Sequence, residues 1–170
     1  MIQDLNIFNI ENFQKHKNVL IDLISKIPQT PLISDGIDVE HSDWEVTPKM
    51  KREYIDYFKK HIFEDFAKDI CKNFNCESLT LLNMWFQIYG KNGHHSMHRH
   101  GNAHFTNIVF LNLPNKNLIT KIYDLKNNVV DIRIEEGHIL TFPAYLKHES
   151  SFNKSDEKKI ILSYNISIEN

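Results

Sequence analysis

Five of the ten histidines fall within residues 94–104: His94, His95, His98, His100 and His104. A bare cluster of this kind reads as a solvated polar loop, since imidazole titrates near neutrality and is at home in water. Spacing adds chemistry. In an extended chain, side chains two apart leave on one face, so His98 and His100 offer two ring nitrogens to one point while Arg99 turns away. That is a two-toothed clip for a transition metal. A third donor has to come from elsewhere, and residues 137–148 supply a strand, a turn containing Pro143 and then His148. Three protein donors on one face leave the remaining coordination positions open for substrate, co-substrate or dioxygen, as a catalytic non-haem iron site requires. His94, His95 and His138 read as solvated or hydrogen-bonded rings.

The elements that must position these residues follow from the period of the apolar side chains. Over residues 10–27, Phe13, Leu20, Leu23, Ile24 and Ile27 recur on one side, with Asn9 or Asn12 available as a cap and Pro28 as a stop. This predicts a helix packed by one stripe. Residues 29–46 hold Pro31, Gly36 and several Asp and Ser without a lasting period. They read as a connecting loop with one short strand near Ile37 and Val39, pinned to the body by Trp44. Thr47-Pro48 opens a second helix, hydroxyl as cap and proline in the first turn, on which Met50, Tyr54, Phe58, Ile62, Phe66 and Ile70 recur every four residues as a core stripe. From Leu79 the period falls to two, and strands are expected at 79–89, 104–112, 117–124, 129–134, 138–142 and 158–168. Two helices followed by short strands predict an α+β, mainly β domain, an antiparallel sandwich or barrel with the helices on one outer face. Residues 1–78 would support a β core spanning 79–170.

Length and composition suit one core: 170 residues, 41% hydrophobic and 11% aromatic. A formal net charge of −2, from 20 basic and 22 acidic residues, gives no general attraction to nucleic acid or to an anionic membrane. No stretch is long and apolar enough to cross a bilayer, and Met1-Ile2-Gln3-Asp4 lacks the basic head of a secretory leader, so a cytoplasmic location is expected. Cys71 and Cys76 have no second pair to complete a thiolate zinc site and read as reduced structural thiols. Ile, Lys and Asn make up about a third of the chain, the mark of A/T-rich codons in a phage or an A/T-rich bacterium; a phage-encoded protein would act in the host cytoplasm.

Four blocks, taken in order, carry a likeness. Met84-Trp85-Phe86-Gln87 leads into the histidine loop; His98-Arg99-His100-Gly101-Asn102 runs into Thr106-Asn107-Ile108-Val109-Phe110-Leu111; Glu136-Gly137 leads through Phe142-Pro143 to His148; and Lys159-Ile160-Ile161-Leu162-Ser163-Tyr164-Asn165 closes the set. Over residues 79–168 this order resembles the Fe(II)/2-oxoglutarate oxygenases, in particular their small phage and bacterial members. The resemblance implies a double-stranded β-helix barrel of jelly-roll, cupin-like form, with Fe(II) and 2-oxoglutarate as cofactors and hydroxylation of a substrate as the activity. It implies His98, His100 and His148 as metal ligands and catalytic residues. His100 stands where most relatives carry an acidic residue, which makes the site less anionic than usual, and His104 is a second-rank ligand.

The far carboxylate of 2-oxoglutarate needs a cation on the last strand, and the resemblance gives this place to Lys159, where relatives usually carry arginine. Alternation puts Lys159, Ile161, Ser163 and Asn165 on one face, polar enough to line a site. Lysine neutralises a carboxylate as a point charge but cannot grip it with two parallel hydrogen bonds. The alternative is a solvent-facing Lys158-Lys159 pair at a strand start. On the first long strand Asn83, Trp85, Gln87 and Tyr89 share a face. Gln87, Tyr89 and Thr106 are candidates for hydrogen bonds to the co-substrate, as are Ser163 and Asn165, or for structural roles alone. Two other readings stay open: a cupin-type metalloprotein without 2-oxoglutarate, with His104 in the place of the cupin glutamate, and a non-catalytic binding module on the same fold. The polar composition around the histidine loop suits a small molecule, a peptide or a nucleotide as substrate, and is compatible with an oligomer.

Overall fold

The computed structural model describes residues 5–28, 30–46 and 50–169. Its elements are β1 (Asn6–Asn9), α1 (Phe13–Ser25), β2 (Thr30–Ser34), β3 (Ile37–Ser42), α2 (Glu53–Phe58), a π-helical turn (Lys59–Phe63), α3 (Glu64–Phe74), β4 (Ser78–Tyr89), β5 (His94–His98), β6 (Phe105–Asn112), a 3-10 turn (Lys116–Leu118), β7 (Thr120–Ile122), β8 (His138–Pro143), β9 (His148–Ser150) and β10 (Lys159–Glu169). The strands pair antiparallel in the order β1-β8-β6-β10-β4-β3-β5-β9-β7, with β2 on β3. This is a curled, mostly β, jelly-roll-like half-barrel. Strand β3 makes the corner: His41 and Ser42 pair with β4, whereas Ile37 and Asp38 pair with β5.

Burial falls into two apolar clusters. Leu20, Ile24, Tyr54, Phe58, Ile62, Phe66 and Ile70 from the helices share one with Met84, Phe86, Leu162, Tyr164 and Ile166 from β4 and β10. Val39, Tyr89, Ile108, Phe110, Leu140, Phe142 and Ile161 form the other, on the alternate face of the same strands and inside the barrel. A spacing of four drifts by about 40° per step on a helix of 3.6 residues per turn. The π turn at Lys59–Phe63 holds more residues per turn and offsets part of that drift, and Tyr54, Phe58, Ile62, Phe66 and Ile70 are all buried.

Several expectations are corrected. The second helix begins at Glu53, so Met50 lies in a bend before it; Thr47-Pro48, its expected start, lies outside the described residues. Asn12 occupies the N-cap position of α1 in a left-handed conformation and makes no side-chain cap bond. The short strand expected near Ile37 and Val39 is β3, but the rest of the expected loop also holds β2, which pairs with β3 in a hairpin turned at Asp35-Gly36, where φ of +76° suits glycine. Strand β1 was not expected, and the expected strand 129–134 is an extended segment with a single bridge, Tyr123 to Val129. Beyond the hairpin, Asp43 is fully buried; it accepts from Tyr54 Oη at 2.6 Å and from the Phe86 N–H at 2.9 Å, which fastens this region to β4. Cys71 and Cys76 are free thiols, with Sγ atoms 3.2 Å apart.

Candidate metal centre

His98, His100 and His148 converge: a ligand nitrogen from each lies within 4.8 Å of the other two, close enough to share one metal ion. Three elements bring them there. His98 ends β5 and faces His148, the first residue of β9, as a cross-strand pair. His100 follows β5, and its N–H donates to the Ala144 carbonyl at 3.0 Å, in the turn that leads from β8 to His148. The ring centroids of His98 and His148 lie 4.2 Å apart, those of His100 and His148 5.0 Å apart.

Each imidazole is oriented through Nδ1. His98 Nδ1 donates to the Ser96 carbonyl at 2.8 Å and His148 Nδ1 to the Leu146 carbonyl at 3.1 Å. His100 Nδ1 donates to Asn165 Oδ1 at 2.8 Å, and Thr106 Oγ1 donates to the same oxygen at 2.9 Å. Asn165 is set in turn by its Nδ2, which donates to Asn83 Oδ1 at 2.8 Å. A ring that donates from Nδ1 carries its lone pair on Nε2, so the triad can offer three Nε2 atoms to a cation. Burial holds all three imidazoles below their usual titration range, His148 furthest, which keeps them neutral at pH 7 as metal ligation requires.

The triad opens on a cavity of about 420 Å³, whose walls include Gln87, Tyr89, Thr106, Ile161, Ser163 and Asn165. Gln87 accepts from Ser163 Oγ at 3.3 Å, so these expected residues form a polar wall across β4 and β10. Lys159 is wholly buried, not solvent-facing. Its Nζ donates to Ser150 Oγ at 2.9 Å and lies 5.2 Å from the Tyr89 ring centroid; among the described residues no carboxylate pairs with it. Burial alone lowers it to about 7. An amine so placed lacks a counter-anion.

Several wall residues escaped the sequence reading, among them Trp44 and also Arg99, which was expected to turn away. His95 stacks on His98 with centroids 3.8 Å apart, and its Nδ1 lies 3.4 Å from Gln87 Nε2. His95 and His98 oppose Ser150 and His148, with two residues between the first pair and one between the second, so an extra residue in β5 turns both rings to one face. Strict alternation cannot foresee that. Ser150 and Thr120 pair across β9 and β7, and the buried Thr120 hydroxyl has no partner among the described residues. His104 does not join the triad: its Nδ1 accepts from the Ile168 N–H at 3.0 Å, at the far end of β10. His94 stacks on Phe152 and His138 accepts from the Glu135 N–H, both apart from the centre.

No family model matches the chain, and no curated protein matches it. Its fold is that of solved 2-oxoglutarate/Fe(II) oxygenase structures, in line with the resemblance read from the sequence. A 2OG-Fe(II) oxygenase family oxidoreductase from Burkholderia pseudomallei has a TM-score of 0.75 at 12% identity, over 96% of this chain and 85% of that one. The viral collagen prolyl hydroxylase of Paramecium Bursaria Chlorella virus-1, solved with 2OG, has a TM-score of 0.60 at 16% identity, over 95% and 94%. A Pseudomonas putida prolyl-4-hydroxylase has a TM-score of 0.64 at 9% identity, over 95% and 91%. Likeness at such identities is likeness of fold; chemistry has to be argued from the site.

Proposed function

We propose that this chain is an Fe(II)- and 2-oxoglutarate-dependent oxygenase that hydroxylates an as yet unidentified substrate. The observation that carries the reading is the placement of two matched features in one cavity region: three Nδ1-anchored neutral imidazoles, and a buried lysine with no carboxylate partner among the described residues. The donor set fits a divalent metal of intermediate softness, and iron is the choice that the oxygenase fold favours. His98, His100 and His148 would hold it. Lys159 with Ser150 would take the far carboxylate of 2-oxoglutarate, which restores to the ammonium the anion that burial denies it. Thr120, whose hydroxyl has no partner among the described residues, pairs with Ser150 and would add a third hydrogen bond.

When bound, Fe(II) and 2-oxoglutarate supply the oxidation: one atom of dioxygen enters a substrate C–H bond, the other enters succinate, and carbon dioxide leaves. The chain's own share is to fix the imidazoles through Ser96, Asn165 and Leu146, to neutralise the co-substrate, and to keep the pocket walled by Trp85, Ile108 and Ile161. The absence of acid at position 100 leaves a bound divalent ion with three neutral ligands. Such a centre favours anionic partners more strongly than one with a carboxylate ligand.

Anaerobic addition of Fe(II) and 2-oxoglutarate tests the reading, because their chelate absorbs in the visible. The expected result is a charge-transfer band that is lost in His148→Ala. Bound iron without the band would favour a cupin-type metalloprotein, although His104, which that reading would recruit, is engaged elsewhere. Failure to retain any divalent metal would favour a non-catalytic binding module.

A further inference from the structure

Among the described residues no aspartate or glutamate lines the cavity, while Arg99 stands on its wall and Lys159 lies behind Ser150 of that wall, to which it donates. Arg99 is exposed and, among the described residues, makes no hydrogen bond or ion pair. Two indoles line the same cavity. Trp44 is 55% exposed and meets Trp85 edge to face with centroids 4.7 Å apart; Trp85 is buried and lies 5.6 Å from the ring of His100. A half-exposed indole in an edge-to-face pair presents a flat apolar surface to whatever enters the cavity. A guanidinium without a carboxylate partner is a fork for a phosphate or carboxylate.

We propose that the substrate of this site is an anionic molecule bearing a flat ring, its ring against Trp44 and Trp85 and its phosphate or carboxylate on Arg99. The proposal rests on the oxygenase reading for what happens to the substrate, but not for its binding. Trp85 leads from the indole pair to His100, so a ring held there borders the metal ligands. Lys159 and Arg99 divide the anions between them: the buried amine suits one small dicarboxylate, and the rim guanidinium suits a ligand whose remainder stays at the entrance.

Calorimetric titration of the full chain, with and without Fe(II), tests this using adenosine 5′-monophosphate against adenosine, indole-3-carboxylate against indole, and ribose 5-phosphate as an anion without a flat ring. The expected result is that at least one ring anion binds at least about tenfold more tightly than its neutral counterpart, and that ribose 5-phosphate binds more weakly than either. The nucleotide arm and the carboxylate arm tell the two anion chemistries apart. Arg99→Gln should erase the difference between anion and neutral ring, Arg99→Lys should keep part of it, and Trp44→Ala should weaken ring anion and neutral ring alike. Equal binding of charged and neutral rings by the unmodified chain, or an Arg99→Gln protein that still prefers the anion, would overturn the proposal. A charge-transfer band with no ring-anion preference would sink this inference and leave the oxygenase reading standing; the reverse pattern would do the opposite.

Discussion

Strand β10 turns Leu162, Tyr164 and Ile166 toward the helices and Lys159, Ser163 and Asn165 into the barrel, and all six are buried. The outer three sit among Phe58, Phe66 and their neighbours, with Tyr164 5.2 Å from Phe58 and 5.6 Å from Phe66 between ring centroids. Their burial stabilises the fold through apolar area, less the cost of the Tyr164 hydroxyl, which is buried without a hydrogen-bond partner among the described residues. The inner three are polar groups taken from water, and each needs a partner. Asn165 finds His100, Thr106 and Asn83; Ser163 finds Gln87; Lys159 finds, among the described residues, only a serine hydroxyl. One strand thus gives apolar packing to one parity and polar contacts to the other, and the polar face is the one that supplies Ser163 and Asn165 to the cavity.

Substitutions on the two faces should therefore fail in different ways. The largest effect is expected from His148→Ala, which removes one of the three ligands. Iron affinity should fall by more than about 100-fold, measured by equilibrium dialysis, with the fold retained. Phe58→Ala opens a void between helix and sheet and should cost about 3–5 kcal/mol in urea unfolding, while the protein that remains folded still takes up iron. Iron loss from folded Phe58→Ala protein, or global unfolding of His148→Ala, would break the distinction.

Lys159→Met sharpens it, because that position is apolar in surroundings and cationic in type. The folded-state pKa of Lys159 is lowered to about 7, so between there and the ordinary lysine range the unfolded chain binds the proton that the folded chain refuses. Ligand-free stability should rise with pH across that window, by a few kcal/mol at most. In Lys159→Met the rise should disappear, and 2-oxoglutarate affinity should drop. A slope unchanged by the substitution would mean that the amine is hydrated. The smallest effect is expected from Asn165→Ala: it leaves His100 Nδ1 with Thr106 alone and should lower iron affinity by about 10–100-fold without loss of the site.

Strands β4, β6, β8 and β10 were legible to within a residue or so, because each buries one or both faces and carries a period of two or a continuous apolar run. In the β2–β3 hairpin only the strand near Ile37 and Val39 was legible. Strand β2 is mostly exposed and carries no buried stripe, so only Asp35-Gly36 signals the turn. Residues 129–134 alternate apolar side chains as a strand would, yet a single bridge ties them to the sheet. Among site residues, His98 and His100 were legible from spacing and His148 from its place after a strand and turn. His95 was hidden by the extra residue that β5 inserts, and Ser150 and Thr120 by having no motif at all; only the cross-strand register brings them together. Local spacing reports what one strand can present, whereas a cavity is assembled from several.

The central claim is that three imidazoles from separate stretches of chain hold one metal through Nε2. Crystals of the protein soaked anaerobically with Fe(II) and 2-oxoglutarate, measured at the iron absorption edge, test it most directly. The account predicts one anomalous peak within bonding distance of Nε2 of His98, His100 and His148 together. A peak bonded elsewhere, or to His104 in place of His100, would contradict it.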